Sequence, residues 1–436
     1  MTVTTNTAEH AFPAPPEPGL TAAQLVARAE ALVPELLGRQ AETEERSFYA
    51  EDIHERFARN GFYRILVPRR YGGYEFGIET FLRVCMTLVR GCASTGWMYC
   101  LGTAHTLIAA TLFGAEAQAE LFSAGDFICP GHAVPNGSAV PAAGGGWTVN
   151  GSWPYCSGAP YATHFMGHAL ISAADGQPPT PLIFVAPGSQ WRRLDDWGQQ
   201  LGLRGSGSHG IVIENGHIPG QLALPGVVWS YVDVTAGTPG RTLHGNPEYG
   251  GGLLAYSNFI NAAMAVGMAQ GALEVYEDLL RQRSTLVPPI IRRHENPDYQ
   301  FWYGDAVGMV GAAEAALLNA VQQWHDAAAT GPAAVTRELD LRLSAICRHV
   351  GKLCWDAVQG YLMPTAGSSS IRHGERLERI WRDMSMLHTH AGFSVLLPTV
   401  AVRELARARA CAEPPVRRGG GVPLPSPIPG NEGGLP

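Results

Sequence analysis

The chain has 436 residues, 46% of them hydrophobic, enough to bury a large core and to form one to three domains. Charged residues make up only 16%, the formal net charge is -7, and Lys352 is the only lysine. With no basic stripe and no Lys/Arg run, nucleic acid is not an expected partner. Residues 1–19 are Pro/Thr-rich and predict a disordered tail; they lack the basic-then-apolar order of a secretory leader. Residues 20–123 predict an N-terminal helical domain. TAAQLVARAEALVPELLGRQ starts at a Thr21 cap, and YAEDIHERFARNGFYRIL stops near Asn60-Gly61. IETFLRVCMTLVRGC sets Phe81, Val84, Cys85, Leu88 and Val89 on one face, and STGWMYCLGTAHTLIAATLF is apolar all round, as a buried helix is.

Residues 124–228 change character. Turn signals at Asn136-Gly137, Gly144-Gly145-Gly146, Asn150-Gly151 and Asn215-Gly216 separate the short runs WTVNGSW, PLIFVAP and GIVIENGHI, which predicts a small β-barrel or sandwich domain. RGSGSHG (204–210) is followed by a strand, so it predicts a turn rather than a phosphate loop. Residues 229–411 return to long helical runs and predict a C-terminal four-helix bundle, making the whole an α+β, mostly α fold. The last run contains WRDMSMLHTHAGFSVL (381–396), where Trp381, Met384, Leu387, Ala391 and Val395 recur at helical spacing. It sets His388 and His390 inside a mostly apolar helix, with Pro398 ending or kinking it. The Pro/Gly-rich residues 412–436 predict a second disordered tail.

No run of about 18 apolar residues predicts a membrane span. The eight cysteines form no CxxC pair and no zinc spacing, so no metal is expected, and free thiols on apolar faces point to a reducing cytoplasm. Taken without further context, a His in an apolar helix is a satisfied core residue, and Ser157 is a turn serine. Arg283 is then a helix-end charge favoured by the dipole.

Four stretches occur in order: VPRRYGGYEFGIETFLRVCMTLVRGCASTGW, WTVNGSWPYCSGAPYATHF, GLRGSGSHGIVIENGHIPG and GERLERIWRDMSMLHTHAG. Together, over roughly residues 20–405, they resemble the acyl-CoA dehydrogenase fold superfamily. Dehydrogenases of this fold typically place a catalytic Glu in an aromatic-Glu-Gly-Thr stretch after an Arg-Asp pair. Here the matching stretch is His390-Ala391-Gly392-Phe393, and Ala391 cannot act as a base. The chain resembles instead the flavin-dependent monooxygenases of this fold, the oxygenase components of two-component p-hydroxyphenylacetate hydroxylases. Arg382-Asp383 with His390 seven residues on, Trp-Pro-Tyr-Cys-Ser-Gly at 153–158, and Gly96-Trp97 with His105 eight residues on carry that resemblance.

The resemblance implies reduced FMN or FAD delivered by a separate flavin reductase, O2 as co-substrate, and a flavin hydroperoxide that hydroxylates a small aromatic, phenolic compound. It implies that His390 assists oxygen activation as an acid near neutral pKa. Ser157 holds the flavin's reactive nitrogen, and His105 takes the phenolic proton. Trp97 and Trp153 wall the flavin. Arg283, with Arg281 as the competing choice, reaches the flavin phosphate across a subunit interface. Gln300 and the small residues Gly367 and Ser368 serve the same cofactor from the neighbouring subunit, so the active unit is at least a dimer and in the family usually a homotetramer. The alternatives are N- or S-oxygenation on the same fold, an acyl-CoA dehydrogenase, and a flavinless interaction protein.

Overall fold

The structure, a computed structural model, describes residues 13–172, 178–390, 392 and 397–410. Of the tails expected at 1–19 and 412–436, residues 1–12 and 412–436 lie outside the described residues, as do Ala391 and Phe393 of the stretch that replaces the dehydrogenase Glu.

Six helices come first: α1 (Ala22–Gly38), α2 (Gln40–Arg46), α3 (Glu51–Arg59), α4 (Gly77–Gly91), α5 (Ala93–Leu112) and α6 (Ala115–Leu121). Thr21 caps α1 in a full capping box with Gln24, and Asn60 closes α3 before Gly61 turns left-handed. The all-round apolar α5 is buried along nearly its whole length, packed against α4 and against a long helix that follows later.

Seven strands follow: β1 (Gly137–Pro141), β2 (Trp147–Trp153), β3 (His164–Ile171), β4 (Thr180–Pro187), β5 (Arg192–Arg193), β6 (Ile211–Ile218) and β7 (Ala223–Pro225). They form a single sheet in the order β5-β6-β2-β1-β3-β4-β7, antiparallel except for the β1–β3 pair. The edges are the two shortest strands, which leave few unpaired backbone groups.

The helices after the sheet are α7 (Pro239–His244), α8 (Leu253–Gln282), α9 (Pro297–Thr330), α10 (Arg337–Asp356), α11 (Met363–Ala366), α12 (Arg376–Thr389) and α13 (Leu397–Ala410). Helix α8 is the axis: it packs on α4 and α5 on one side and on α9, α10 and α12 on the other, so one continuous core joins both helical parts. Two sequence expectations change here. Helix α12 ends at Thr389, and His390 follows it in extended backbone (φ -62°, ψ 132°), its N–H still bonded to Leu387 O at 3.0 Å. His390 therefore stands at the helix mouth, not on a helical face. Pro398 does not end that run; it lies in the first turn of a new helix, α13, where its missing N–H costs nothing.

Candidate active site

Two loops and two helix segments meet at Ser157. The first loop leaves β2 as Pro154-Tyr155-Cys156-Ser157, with Tyr155 in the left-handed region (φ +59°), uncommon for an aromatic residue. Gly158 (φ +99°) lets this loop touch α5, because a Cβ there would lie 2.8 Å from the Gly102 Cα. The Trp97 indole Nε1 of α5 donates to Ser157 Oγ at 2.9 Å. The second loop is the run before β6. Ser157 Oγ lies 2.6 Å from Ser208 Oγ, which lies 2.7 Å from Ser206 Oγ. All three serines are buried.

The Arg382-Asp383 pair explains how that second loop is held. Asp383 accepts from the Leu203 N–H, and Leu203 is itself left-handed (φ +52°). Arg382 donates to Leu201 O at 3.0 Å and pairs with Glu44 at 2.9 Å and Glu378 at 2.6 Å. A Cβ on Gly202 would fall 2.1 Å from Arg382 O, so the loop lies directly on α12. Asp383 thus clamps a loop and does not bond to His390. Its burial pushes the carboxyl up to about 7, although the Leu203 N–H and nearby arginines favour the charged form.

At the end of α12 the His390 ring meets the Trp97 indole edge to face, centroids 5.4 Å apart. Desolvation pushes the half-buried imidazole down to about 4. In the flavin-free chain this desolvation favours the uncharged ring, against the near-neutral acid expected from sequence. Gly392 N–H donates to His390 Nδ1 at 3.2 Å, so Nε2 carries the ring proton in the neutral form. Beside it, Asn261 donates Nδ2 to Ser257 O and Gly392 O, and its buried Oδ1 has no partner among the described residues.

His105 lies two turns beyond Trp97 on α5. Its Nδ1 is 3.1 Å from Leu101 O, the ring also meets the backbone of Cys129, and burial pushes it down to about 4. Trp229 links it to a second buried imidazole that the sequence reading missed, with centroids 5.3 Å from His105 and 4.8 Å from His168. Trp153 is a correction of a different kind. It is fully buried in the sheet core, packed on Phe165 and Phe184, and donates to His168 O. No face of its ring is left for a cofactor. His388 stacks on Trp355 at the surface.

The other expected residues gather at the N-terminal end of α12. Arg283, the C-cap of α8, donates to Ser369 Oγ at 2.7 Å and forms no ion pair among the described residues. Arg281 is neutralised by Glu277. Gly367 (φ +90°) opens the Ser368–Ile371 turn. Buried Arg293 holds that turn through Ala366 O at 2.8 Å and lies over the Tyr299 ring. Gln300 bonds to His294 O on the first turn of α9. The 14-residue α12 spans about 20 Å between these groups and His390. The structure therefore brings Trp97, Ser157 and His390 together, and Arg283, Gly367 and Ser368 together, as two separate groups.

Both groups fit a flavin. An unpartnered buried acceptor (Asn261 Oδ1), a hydroxyl and two neutral aromatic groups suit a polar ring. An arginine without a carboxylate beside a serine-rich turn suits a phosphate. Among the described residues no cluster of His, Cys, Asp or Glu is arranged for a metal, and no helix is long and apolar enough to cross a membrane.

The acyl-CoA dehydrogenase N-terminal domain model matches residues 22–124 and the C-terminal domain model residues 259–395, and the chain belongs to that family. Among its relatives, a pigment production hydroxylase of a Rhodococcus species is 27% identical over 376 residues, 85% of this chain and 93% of the relative. The oxygenase component of an FADH(2)-dependent resorcinol hydroxylase from a Rhizobium species is 28% identical, covering 76% and 81%. The solved structure of the 3-HSA hydroxylase from Rhodococcus sp. RHA1 superposes with a TM-score of 0.79 at 25% identity, over 89% of this chain and 96% of that one.

Proposed function

We propose that this chain is the oxygenase component of a two-component flavin-dependent monooxygenase that hydroxylates a small aromatic, phenolic compound. The observation that carries it is the Trp97–Ser157–His390 cluster: a hydroxyl, an indole and an uncharged imidazole meet where a dehydrogenase needs a carboxylate. Among the described residues, the carboxylate nearest in sequence, Asp383, is committed to the Leu203 N–H. The two hydroxylase relatives, one of them FADH(2)-dependent, support the same class of reaction.

When bound, reduced FMN or FAD supplies the electrons that activate O2. The chain's own groups have separate tasks. Ser157 holds the flavin's reactive nitrogen by a hydrogen bond, fixed from behind by Trp97 Nε1. His390 offers a neutral Nε2–H donor beside Trp97, without adding a fixed charge to a dry site. His105, neutral and held through Nδ1 on Leu101 O, takes the phenolic proton at Nε2 once substrate displaces its contact with the Cys129 backbone. Ser157 and His105 are buried and His390 is half-buried, which limits water at the site.

Arg283, Gln300, Gly367 and Ser368 take the phosphate of a flavin bound to another copy. Their separation from His390 along α12 exceeds the ribityl chain that joins a flavin ring to its first phosphate. The active unit is then at least a dimer, with a homotetramer as the family's usual form. The remaining assignments are a helical domain at 20–123, a β domain at 124–228 and a bundle at 229–411, working in the cytoplasm with a separate reductase. The seven described cysteines, all free and buried, suit that compartment.

The test supplies chemically reduced FMN or FAD, labelled O2 and a panel of phenols to the purified protein. The proposal expects one labelled oxygen in the product. Quantitative hydrogen peroxide with no product from any phenol, or a yellow protein bleached by an acyl-CoA, contradicts it.

A further inference from the structure

Gly392 lies against two side chains at once. A Cβ built on it would fall 3.1 Å from Asn261 Nδ2 and 3.2 Å from His390 Cε1 and Nδ1, tighter than nearly all Cβ contacts. Its N–H donates to His390 Nδ1 at 3.2 Å, and its carbonyl accepts from Asn261 Nδ2 at 3.4 Å. The backbone ladder of α12 ends with the His390 N–H and does not reach Gly392. Among the described residues, this peptide is held instead from α8, the axis of the fold, through Asn261. The Asn261 amide is itself fixed one turn back, by the Ser257 carbonyl at 3.2 Å. Both amide hydrogens are then used, and only Oδ1 is left without a partner among the described residues. Turned the other way, the amide would set its oxygen against two carbonyl oxygens, so Asn261 serves here as a donor.

We infer that Asn261 is a positioning residue that, through Gly392, fixes which nitrogen of His390 carries the proton. The functional weight of this rests on the reading of His390 as the imidazole at the flavin site. A neutral imidazole has one N–H. With the Gly392 N–H against Nδ1, a proton on Nδ1 would put two donors face to face. The proton therefore stays on Nε2, and the ring presents a donor beside Trp97. Once the Gly392 peptide is released, that penalty is gone and the two tautomers come closer in energy. A ring protonated on Nδ1 presents a bare lone pair at Nε2 instead. A donor stabilises negative charge that develops on an oxygen, whereas a lone pair repels it. The amide on α8 thus decides whether the imidazole after α12 assists or opposes charge at the site.

The experiment labels the histidine ring nitrogens isotopically and reads their protonation by solid-state NMR in the flavin-free full chain, at about pH 8, where the ring is neutral. The spectrum of His390→Gln assigns the signals. In wild type the proton is expected on Nε2. Asn261→Leu keeps the side-chain volume and removes both donors. It is expected to lower the ratio of Nε2–H to Nδ1–H rings about fivefold, the shift that one neutral hydrogen bond of ordinary strength supplies. Gly392→Ala, which sets a methyl against both Asn261 and His390, is expected to lower it as well. An unchanged ratio in Asn261→Leu, or a wild-type ring with its proton on Nδ1, overturns the inference; should Asn261→Leu not fold, an unchanged ratio in Gly392→Ala does so. If the ratio falls but His390→Gln binds reduced FMN and FAD and takes up O2 as wild type does, Asn261 still positions the ring, and the reading of His390 at the flavin site is what falls.

Discussion

The two ends of α12 are built from opposite materials. At its C-terminal end stand Trp97, Ser157, Ser208 and His390: buried or half-buried, uncharged and bonded to one another. At its N-terminal end stand Arg283, Arg293 and the Gly367–Ser370 turn: cationic, and without an ion pair among the described residues. The first is suited to a neutral ring that must be kept from water, the second to an anionic tail. Between them lies a middle turn in which Arg382 and Asp383 tie the helix to the loop before β6. The contrast teaches that the Arg-Asp pair is structural. It holds the loop before β6 against α12.

Three substitutions sharpen that contrast. The largest effect is expected at the clamp. Arg382→Ala leaves Glu44 and Glu378, both mostly buried, without their shared partner, at a cost of about 3–5 kcal/mol. Urea unfolding measures this; a loss below about 1 kcal/mol means the pair is ornamental.

Next is Asp383→Asn. The folded protein holds the Asp383 proton up to about 7, while the unfolded chain releases it near the usual carboxylate value. Between those pH values the folded state binds more protons, so the contribution of Asp383 is full below the lower value and is lost as pH rises through the upper one. Asparagine keeps an acceptor for Leu203 and removes the titration. The variant is expected to gain on wild type by about 2–4 kcal/mol between pH 4 and pH 8. A stability difference that stays flat with pH contradicts the buried-carboxylate account.

The smallest effect is at the cationic end. Arg283→Ala is expected to weaken flavin binding about tenfold or more, a charge-assisted hydrogen bond being worth about 1.5–3 kcal/mol. Arg281→Ala, whose guanidinium already serves Glu277, is expected to change it less than about threefold. The reverse order in a binding titration moves the phosphate contact to Arg281.

Most of the fold was legible because its signals are local. The Thr21 capping box, the Asn60-Gly61 stop and the all-round apolar α5 depend on residues near in sequence. Trp97, Ser157 and His390 were legible only through family resemblance, since they come from three distant segments. Ser206 and Ser208 were missed because RGSGSHG, read alone, is a glycine-rich turn; its serines matter through Ser157, about 50 positions away. Trp153 was misplaced because an aromatic residue beside a motif resembles a cofactor wall, whereas strand alternation turns it into the sheet core. His390 was set on a helix because helical spacing continues past Thr389, and only tertiary structure shows the extended backbone there.

The most direct test is an anaerobically grown crystal structure of the assembled protein with reduced FMN or FAD. The account predicts the flavin ring against Ser157 and Trp97, within hydrogen-bond reach of His390, and its phosphate on Arg283 of a second copy. A ring bound away from Trp97, a carboxylate poised over it in place of His390, or a phosphate held only by residues of the same chain would contradict it.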